Sequence, residues 1–330
     1  MRNYFIIAAF ASIIVLNCGT SAFAASFNCN QATKVQDKFI CQNEEISRLD
    51  EAMAKAFREQ IKKLPQESQF FVLSSQRSWL AYWPWQCSAL PNTLKFETSA
   101  NSCVADLYRE RLQELNVPSL VPGRSSYTVS ERRFLPPKNA DESAAAHVIS
   151  FPQINVKLSG DVAINSWLAR DLNQWREGLD GDSDTDLSVT LISYNESLAQ
   201  ATEVLKFYGH GAAHPIQTKV HLYFLPTVGR TMQANDFFID NRWVNVVANY
   251  VFKRLQLRLG DNLQIKMSKD LYPMINQVAS WSIDNNSFAL AFNQYEVAPY
   301  SEGIVEIKVP LSVIQPYLTP FGRKWFGFPA

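Results

Sequence analysis

The stretch NEEISRLDEAMAKAFREQIKKL, Asn43 to Leu64, decides the fold of the first part of the chain. Its apolar residues recur at steps of three and four, which is typical of an amphipathic helix with one buried face. Asn43 stands where an N-cap is expected, before an acidic first turn, and Pro65 ends the helix. The residues predicted on the buried face are Ile46, Leu49, Met53, Phe57, Ile61 and Leu64.

Two more helices are predicted, from about Gln66 to Tyr82 and from about Cys103 to Leu115. The short connections between the helices imply antiparallel neighbours. Trp83 and Trp85 follow the second helix, and either core packing or an exposed contact surface explains them. The second helix is expected to bury Phe70, Leu73, Trp79 and Leu80.

Four cysteines, Cys29, Cys41, Cys87 and Cys103, lie in the first third of the chain and indicate two disulfides. They form no C-x-x-C pair, which argues against zinc. The predicted helices place Cys41, Cys87 and Cys103 at one end of the helical unit, with Cys29 tethered nearby. More than one pairing is compatible with this arrangement, and we favour Cys29–Cys41 with Cys87–Cys103.

The chain begins MRNYFIIAAFASIIVLNCGTSAFAAS. Arg2 precedes a short apolar run, and Ala22-Phe23-Ala24 matches an A-x-A cleavage site, so residues 1–24 are predicted to be a signal peptide. The run is too short to span a bilayer, and no later segment approaches that length. We therefore expect a periplasmic or secreted protein with no membrane span in the mature chain.

The 330 residues suggest about two domains, and a formal net charge of +0 without a basic stripe argues against nucleic acid as a partner. Pro118 to Ser143 is rich in Pro, Ser and charges, so we assign residues 118–147 to a flexible linker. It separates a helical domain, residues 25–117, from a second domain, residues 148–330.

Strand patterns dominate the second domain. The segment HVISFPQINVKL reads as an edge strand because Pro152 interrupts it. Six further strands and two amphipathic helices follow, VAINSWLARDLNQWRE and NRWVNVVANYVFKRLQLRL. The fold class predicted for the whole chain is multidomain: a small all-α disulfide-bonded helical domain, then an α+β domain with a mainly antiparallel sheet.

The stretch YGHGAAHP, Tyr208 to Pro215, carries two histidines four residues apart, His210 and His214. On a helix they could bind zinc, but Gly209, Gly211 and Pro215 oppose a helix, and a catalytic zinc needs a third ligand. Glycines here indicate positive φ angles. We interpret the stretch as a shaped turn and predict no metal, no cofactor and no catalytic residues.

Two other loops are candidates for binding. DGDSDTD, Asp180 to Asp186, imitates a calcium loop but lacks the required glycine and the twelfth-position glutamate, so a solvated acidic loop is favoured over weak calcium binding. YEVAPYSEG joins two strands and concentrates groups that suit a partner contact. Its candidate residues are Tyr295, Glu296, Pro299 and Tyr300, with Tyr300 expected to be exposed and Tyr295 buried. A tight structural connection is the alternative.

Residues 27–115 resemble the LprI-type lysozyme-inhibitor domain. The resemblance rests on Ile40-Cys41, Leu49-Asp50, Gln76-Arg77-Ser78-Trp79-Leu80 and Leu107-Tyr108, together with every cysteine after the predicted signal peptide. It implies an envelope protein that blocks lysozyme.

Residues 148–318 resemble the extracytoplasmic domain of RsiV, a lysozyme-sensing anti-sigma factor. This resemblance rests on Ile164-Asn165, on Gly211 with His214-Pro215, and above all on the segment from Tyr295 to Gly303. It implies a lysozyme- or envelope-facing binding module.

The sequence thus predicts a non-catalytic protein that binds lysozyme or a related muramidase and blocks its substrate cleft. The predicted contacts are His210, His214, Tyr295, Glu296, Pro299, Tyr300, Trp83 and Trp85. The alternative is a binder of peptidoglycan fragments or of another envelope component. An unrecognised hydrolase is a third hypothesis, although no nucleophile elbow, phosphate loop or dinucleotide motif occurs.

Overall fold

A computed structural model describes residues 25–88, 95–116, 124–135, 144–170 and 172–329. The predicted signal peptide lies outside the described residues. No helix within these ranges is both long and apolar enough to cross a bilayer.

The first domain is helical, as predicted. Asn43 caps the long second helix, because its Oδ1 accepts a hydrogen bond from the backbone N–H of Ile46 at 3.1 Å. Trp79 and Tyr108 meet edge to face in the core, with ring centroids 4.8 Å apart. Disulfides join Cys29 to Cys41 and Cys87 to Cys103, which confirms the favoured pairing. The helices are α1 (Val35–Gln42), α2 (Glu44–Lys63), α3 (Gln66–Gln86) and α4 (Ala100–Leu115).

The buried face of α3 differs from the predicted one. Trp79 is buried as expected, but Phe70, Leu73 and Leu80 are 66%, 38% and 47% exposed. The helix instead buries a face that includes three polar residues, Ser68, Ser75 and Gln76. Ser75 accepts a hydrogen bond from the backbone of Ser130, and Gln76 accepts one from Arg111. An assignment from hydrophobic period alone cannot include such residues.

The second domain contains a six-stranded sheet in the order β1-β2-β3-β4-β5-β6. All neighbours are antiparallel except β2 and β3, which are parallel. The first strand corrects the linker prediction, because residues 126–135 of the supposed linker pair with β2 along their whole length. The strands are β1 (Ser126–Leu135), β2 (Ala145–Ile154), β3 (Ser183–Tyr194), β4 (Ala199–Gly209), β5 (Ile216–Leu225) and β6 (Arg230–Thr231).

The edge position predicted for the Pro152 strand is also wrong, since β2 lies between β1 and β3. Pro152 is tolerated there because the pairing of β2 with β3 stops at Ser150, opposite Ser188. The missing N–H of the proline therefore costs no hydrogen bond to β3.

The segment VAINSWLARDLNQWRE, predicted to be one helix, forms two helices. These are α5 (Ser159–Leu168) and α6 (Leu172–Gly178). The first packs on the apolar face of the sheet, where Trp167 stacks on Phe224 with ring centroids 5.4 Å apart. In the second, Arg176 forms an ion pair with Glu131 of β1.

The end of the chain builds a second core around a three-stranded antiparallel sheet and the longest helix of this half, α8. Phe238 stacks on Trp243 of α8 at 3.9 Å, and both rings contact Trp281 edge to face. The predicted fold class is confirmed. The elements are α7 (Ala234–Phe237), α8 (Arg242–Leu259), α9 (Tyr272–Ile275), β7 (Trp281–Ile283), β8 (Phe288–Phe292), β9 (Val305–Val309), α10 (Leu311–Ile314) and α11 (Pro320–Trp325).

The helical domain docks on the outer edge of β1. The hydroxyl of Ser78 on α3 accepts a hydrogen bond from the backbone N–H of Arg132 at 2.8 Å. Val72 of α3 packs in one core with Tyr127 and Val129 of the strand. A helix therefore covers a sheet edge that would otherwise present unpaired backbone groups.

Candidate functional site

The loop between β8 and β9 lies against the edge of β5. The side-chain oxygen of Asn293 accepts a hydrogen bond from the backbone N–H of Lys219 at 2.7 Å. That of Gln294 accepts one from the N–H of Gln217 at 2.8 Å. Two side chains thus accept hydrogen bonds from backbone N–H groups on the edge of β5 and fix the start of the loop.

Internal hydrogen bonds fix the rest of this loop. The carboxylate of Glu296 accepts from the backbone N–H of Asn293 at 2.7 Å, as the structural alternative for this segment predicts. Val297 is fully buried, and its carbonyl accepts from the N–H of Gln264 at 2.9 Å. Between these anchors Tyr295 has φ 68°, a left-handed conformation that non-glycine residues rarely adopt.

Three of the predicted contact residues come together at this loop. The imidazole of His214 stacks on the ring of Tyr300, with centroids 3.7 Å apart. The Tyr295 hydroxyl lies 3.4 Å from Nε2 of His214, and its ring is 6.0 Å from that of Tyr300. We call His214, Tyr295 and Tyr300 the aromatic cluster.

The exposure of the two tyrosines is the reverse of the prediction. Tyr295 is 50% exposed and Tyr300 is half-buried under the His214 ring. The left-handed backbone turns Tyr295 outward, which its sequence position does not reveal. Pro299 is half-buried beside Tyr300, and Glu296 is exposed while its carboxylate stays bonded to backbone.

His210 has a different partner. Its Nε2 lies 3.2 Å from Oδ1 of Asp184 on β3, and its backbone N–H donates to the carbonyl of Asp182 at 2.8 Å. Gly211 has φ 86°, as a shaped turn requires, whereas Gly209 ends β4 without a positive φ, contrary to expectation. Within the described ranges, no group of three or more His, Cys, Asp or Glu residues is arranged to hold a metal ion.

The two tryptophans of the helical domain do not offer the predicted surface. Trp83 is 1% exposed and belongs to the domain core, so it cannot contact a partner in this structure. Trp85 is half-buried against Phe134 of β1, with ring centroids 3.8 Å apart. The outer face of α3 carries the exposed apolar residues Phe70, Leu73 and Leu80. Sequence reasoning placed them in the core.

The acidic stretch Asp180–Asp186 begins in a turn and continues into β3, which starts at Ser183. Oδ1 of Asp180 accepts from the backbone N–H of Asp182 at 3.0 Å and from the hydroxyl of Ser183 at 2.8 Å. Asp184 and Asp186 belong to β3, on the sheet face opposite the apolar core. The stretch is therefore not a calcium loop in form.

These strand aspartates line a cleft of about 700 Å³ between the polar face of the sheet and the helical domain, chiefly α4. Sequence reasoning missed this cleft. The available signal was the alternation on β3, where polar Asp184, Asp186, Ser188 and Thr190 alternate with buried residues. The charged residues that line it are Glu110, Glu114, Asp184, Asp186, Arg132 and Lys206.

The surroundings of two carboxylates in the cleft, Glu110 and Asp186, disfavour the charged form of each. Burial and the charge of Glu114 raise the pKa of Glu110. Burial also raises the pKa of Asp186, although Nζ of Lys206 lies 4.0 Å from its carboxylate. Both side chains keep contact with solvent, and carboxylates with a raised pKa in a concave surface are typical of binding sites.

Comparison with known protein families finds two matches, each over part of the chain. Residues 29–115 match the family model described as Lysozyme inhibitor LprI. This part of the chain is therefore similar to the LprI family. Residues 235–312 match the model described as a protein of unknown function, DUF3298. The finer resemblance of the second half to RsiV stays a prediction.

Solved structures of low similarity accompany the DUF3298 match. A DUF3298 family member from Bacteroides fragilis is 15% identical with a TM-score of 0.46, over 62% of this chain and 96% of that one. A DUF3298 protein from Pseudomonas aeruginosa PAO1 is 12% identical with a TM-score of 0.45, over 64% and 100%. The sequence has no match among curated proteins.

Proposed function

We propose that this protein is an exported, non-catalytic inhibitor of lysozyme or a related muramidase, which acts by occluding the substrate cleft. The LprI domain supports the class of partner. The two disulfides and that domain together are typical of an extracytoplasmic protein. The predicted signal peptide would deliver the chain to that compartment.

The observation that carries the mode of action is the half-exposed ring of Tyr295 on a hydrogen-bonded loop. A loop that is already ordered loses little conformational entropy on binding, and tyrosine brings a large contact area with few rotatable bonds. The hydroxyl of Tyr295 would exchange its contact with Nε2 of His214 for a hydrogen bond donated to one of the catalytic carboxylates that muramidases use.

The exposed apolar face of α3, at Phe70, Leu73 and Leu80, would supply the contact of the LprI domain in place of Trp83 and Trp85. Exposed apolar groups of this kind are typical of protein-binding surfaces. Two surfaces in one chain would increase apparent affinity by raising the effective concentration of the second contact.

The test is clearance of a peptidoglycan suspension by lysozyme in the presence of the chain from residue 25 onward. We expect the wild type to slow clearance and Tyr295→Ala to weaken that inhibition by about tenfold or more, as at a binding hot spot. Leu257→Ala on α8 is the matched control, because Leu257 is 79% exposed and lies outside the loop. Unchanged clearance at micromolar excess of wild type would refute lysozyme inhibition.

The aromatic cluster also suits sugars, since tyrosine rings stack on them, so binding of peptidoglycan fragments is the second candidate. Co-sedimentation with purified sacculi separates the two functions. Sedimentation with sacculi that Tyr295→Ala abolishes, together with unimpaired lysozyme activity, would establish the second candidate.

A further inference from the structure

We propose that the cleft between α4 and the polar sheet face binds a small zwitterion, of the class of a free amino acid or a short peptide with both termini charged. This inference does not depend on lysozyme binding, because the cleft and the aromatic cluster share no residue.

The anionic end of the ligand is specified by Arg132. This arginine lines the cleft, yet its side chain is only 5% exposed. Nη2 donates to Glu114 at 3.1 Å, and the guanidinium lies over the Tyr82 ring, 5.5 Å from its centroid. Nη1 has no hydrogen-bond partner among the described residues. A buried guanidinium N–H without a partner is costly, and a carboxylate is the group that best satisfies it.

The cationic end is specified by Glu110. Its carboxylate lines the same cleft from α4, and no described residue forms a hydrogen bond or ion pair with it. Burial and the neighbouring charges of Glu114 and Asp186 raise the pKa of Glu110, so a cation here would relieve an unfavourable charge. An ammonium group with three N–H donors fits between carboxylates on the two walls.

A ligand with one charge would fit less well. A simple anion at Arg132 would face the carboxylates Glu110, Glu114, Asp184 and Asp186, against which the lining offers only one further cation, Lys206. A simple cation would satisfy Glu110 but leave Nη1 of Arg132 unpaired. Only a ligand with both charges compensates both groups.

The volume and the remaining lining agree with this class. A cleft of about 700 Å³ holds a ligand of several residues at most. Ser150, Ser188 and Thr190 line it from the sheet, and their hydroxyls can both donate and accept hydrogen bonds to peptide groups.

The test is isothermal titration calorimetry of the chain from residue 25 onward with three probes: alanyl-alanine, its N-acetyl derivative and its C-terminal amide. The dipeptide has both charges, and each derivative lacks one. We expect the dipeptide to bind with a Kd of about a millimolar or tighter and each derivative to bind about tenfold more weakly.

Variants then assign the two ends. Glu110→Gln is expected to weaken dipeptide binding about fivefold or more, whereas Glu51→Gln, an exposed carboxylate on α2 outside the cleft, leaves it unchanged. Arg132→Gln should abolish binding, and because Arg132 also holds Glu114 its melting temperature is measured in parallel. If Arg132→Gln does not fold, Glu110→Gln decides the test alone. Absence of dipeptide binding, equal binding of all three probes, or no effect of Glu110→Gln would overturn the proposal.

Discussion

The hydroxyl of Ser75 on α3 accepts a hydrogen bond from the backbone N–H of Ser130 on β1 at 3.0 Å. Both residues are almost completely buried, at 2% and 0% exposure. Ser130 lies on an edge strand, so this N–H has no neighbouring strand to bond. A serine of the helical domain therefore completes the sheet of the other domain.

Replacing this hydroxyl tests how strongly the two domains depend on each other. Ser75→Ala leaves the buried N–H of Ser130 without an acceptor, and we expect a loss of about 1–3 kcal/mol in the free energy of unfolding, measured by urea denaturation. Ser102→Ala, an exposed serine on α4, is the control and should change stability little. Equal effects of the two substitutions would contradict a specific role for Ser75.

Ser75 also explains why the sequence predicted the presence of α3 but not its orientation. The periodicity of α2, α4 and α8 identifies real helices, since their apolar stripes pack into the hydrophobic cores. On α3 the apolar residues Phe70, Leu73 and Leu80 mark the exposed face instead. The buried polar residues of α3 bond to groups more than thirty positions away in the chain, which a local pattern cannot show.

A local sequence pattern was also insufficient to predict β1, the exposed tyrosine of the aromatic cluster and the cleft. The polar composition of residues 126–135 suggested a linker, because this strand buries only part of its surface and donates backbone hydrogen bonds to another domain. Sequence reasoning selected the residues of the aromatic cluster, His214, Tyr295 and Tyr300, but not which tyrosine is exposed. The cleft was missed because its walls come from separate domains.

Glu114 forms a charged connection between the domains. Its carboxylate accepts from Nη1 of Arg111 at 2.5 Å and from Nη2 of Arg132 at 3.1 Å, and the side chains of both arginines are at least 95% buried. Among the described residues, Glu114 is the one carboxylate that forms an ion pair with either guanidinium. Glu114→Gln removes its charge, so we expect a loss of about 3 kcal/mol in unfolding free energy. Glu51→Gln is the exposed control, and a loss as small as that of the control would refute this account.

His221 on β5 is expected to make stability depend on pH. Burial, with Lys219 nearby, lowers the pKa of His221 from 6.5 to about 4. The unfolded chain binds this proton more tightly than the folded chain, so the stabilisation is complete above about pH 6.5 and is lost as the pH falls towards 4. With allowance for partial solvent access, the change is on the order of 1–2 kcal/mol.

The measurement is urea denaturation at pH 7 and at pH 4.5 of the wild type and of His221→Gln. Carboxylates contribute equally to both proteins, so the difference between their pH dependences isolates the imidazole. We expect the variant to lose less stability on acidification. A variant with the same pH dependence as the wild type would show that the pKa of His221 is the same in the folded and unfolded chain, which would contradict this account.

Tyr295 allows stability and inhibition to be separated. Its φ of 68° is unfavourable by roughly 1 kcal/mol for most residues, and asparagine tolerates this region better than tyrosine. Tyr295→Asn should therefore keep or raise the melting temperature, because the strain relieved offsets the lost contacts with His214 and Tyr300.

The same substitution removes the exposed ring, so inhibition of lysozyme should fall as far as in Tyr295→Ala. A strained residue that costs stability and is needed for binding is expected where a loop has been shaped for a partner. A marked loss of stability in Tyr295→Asn would show instead that the ring holds the loop together.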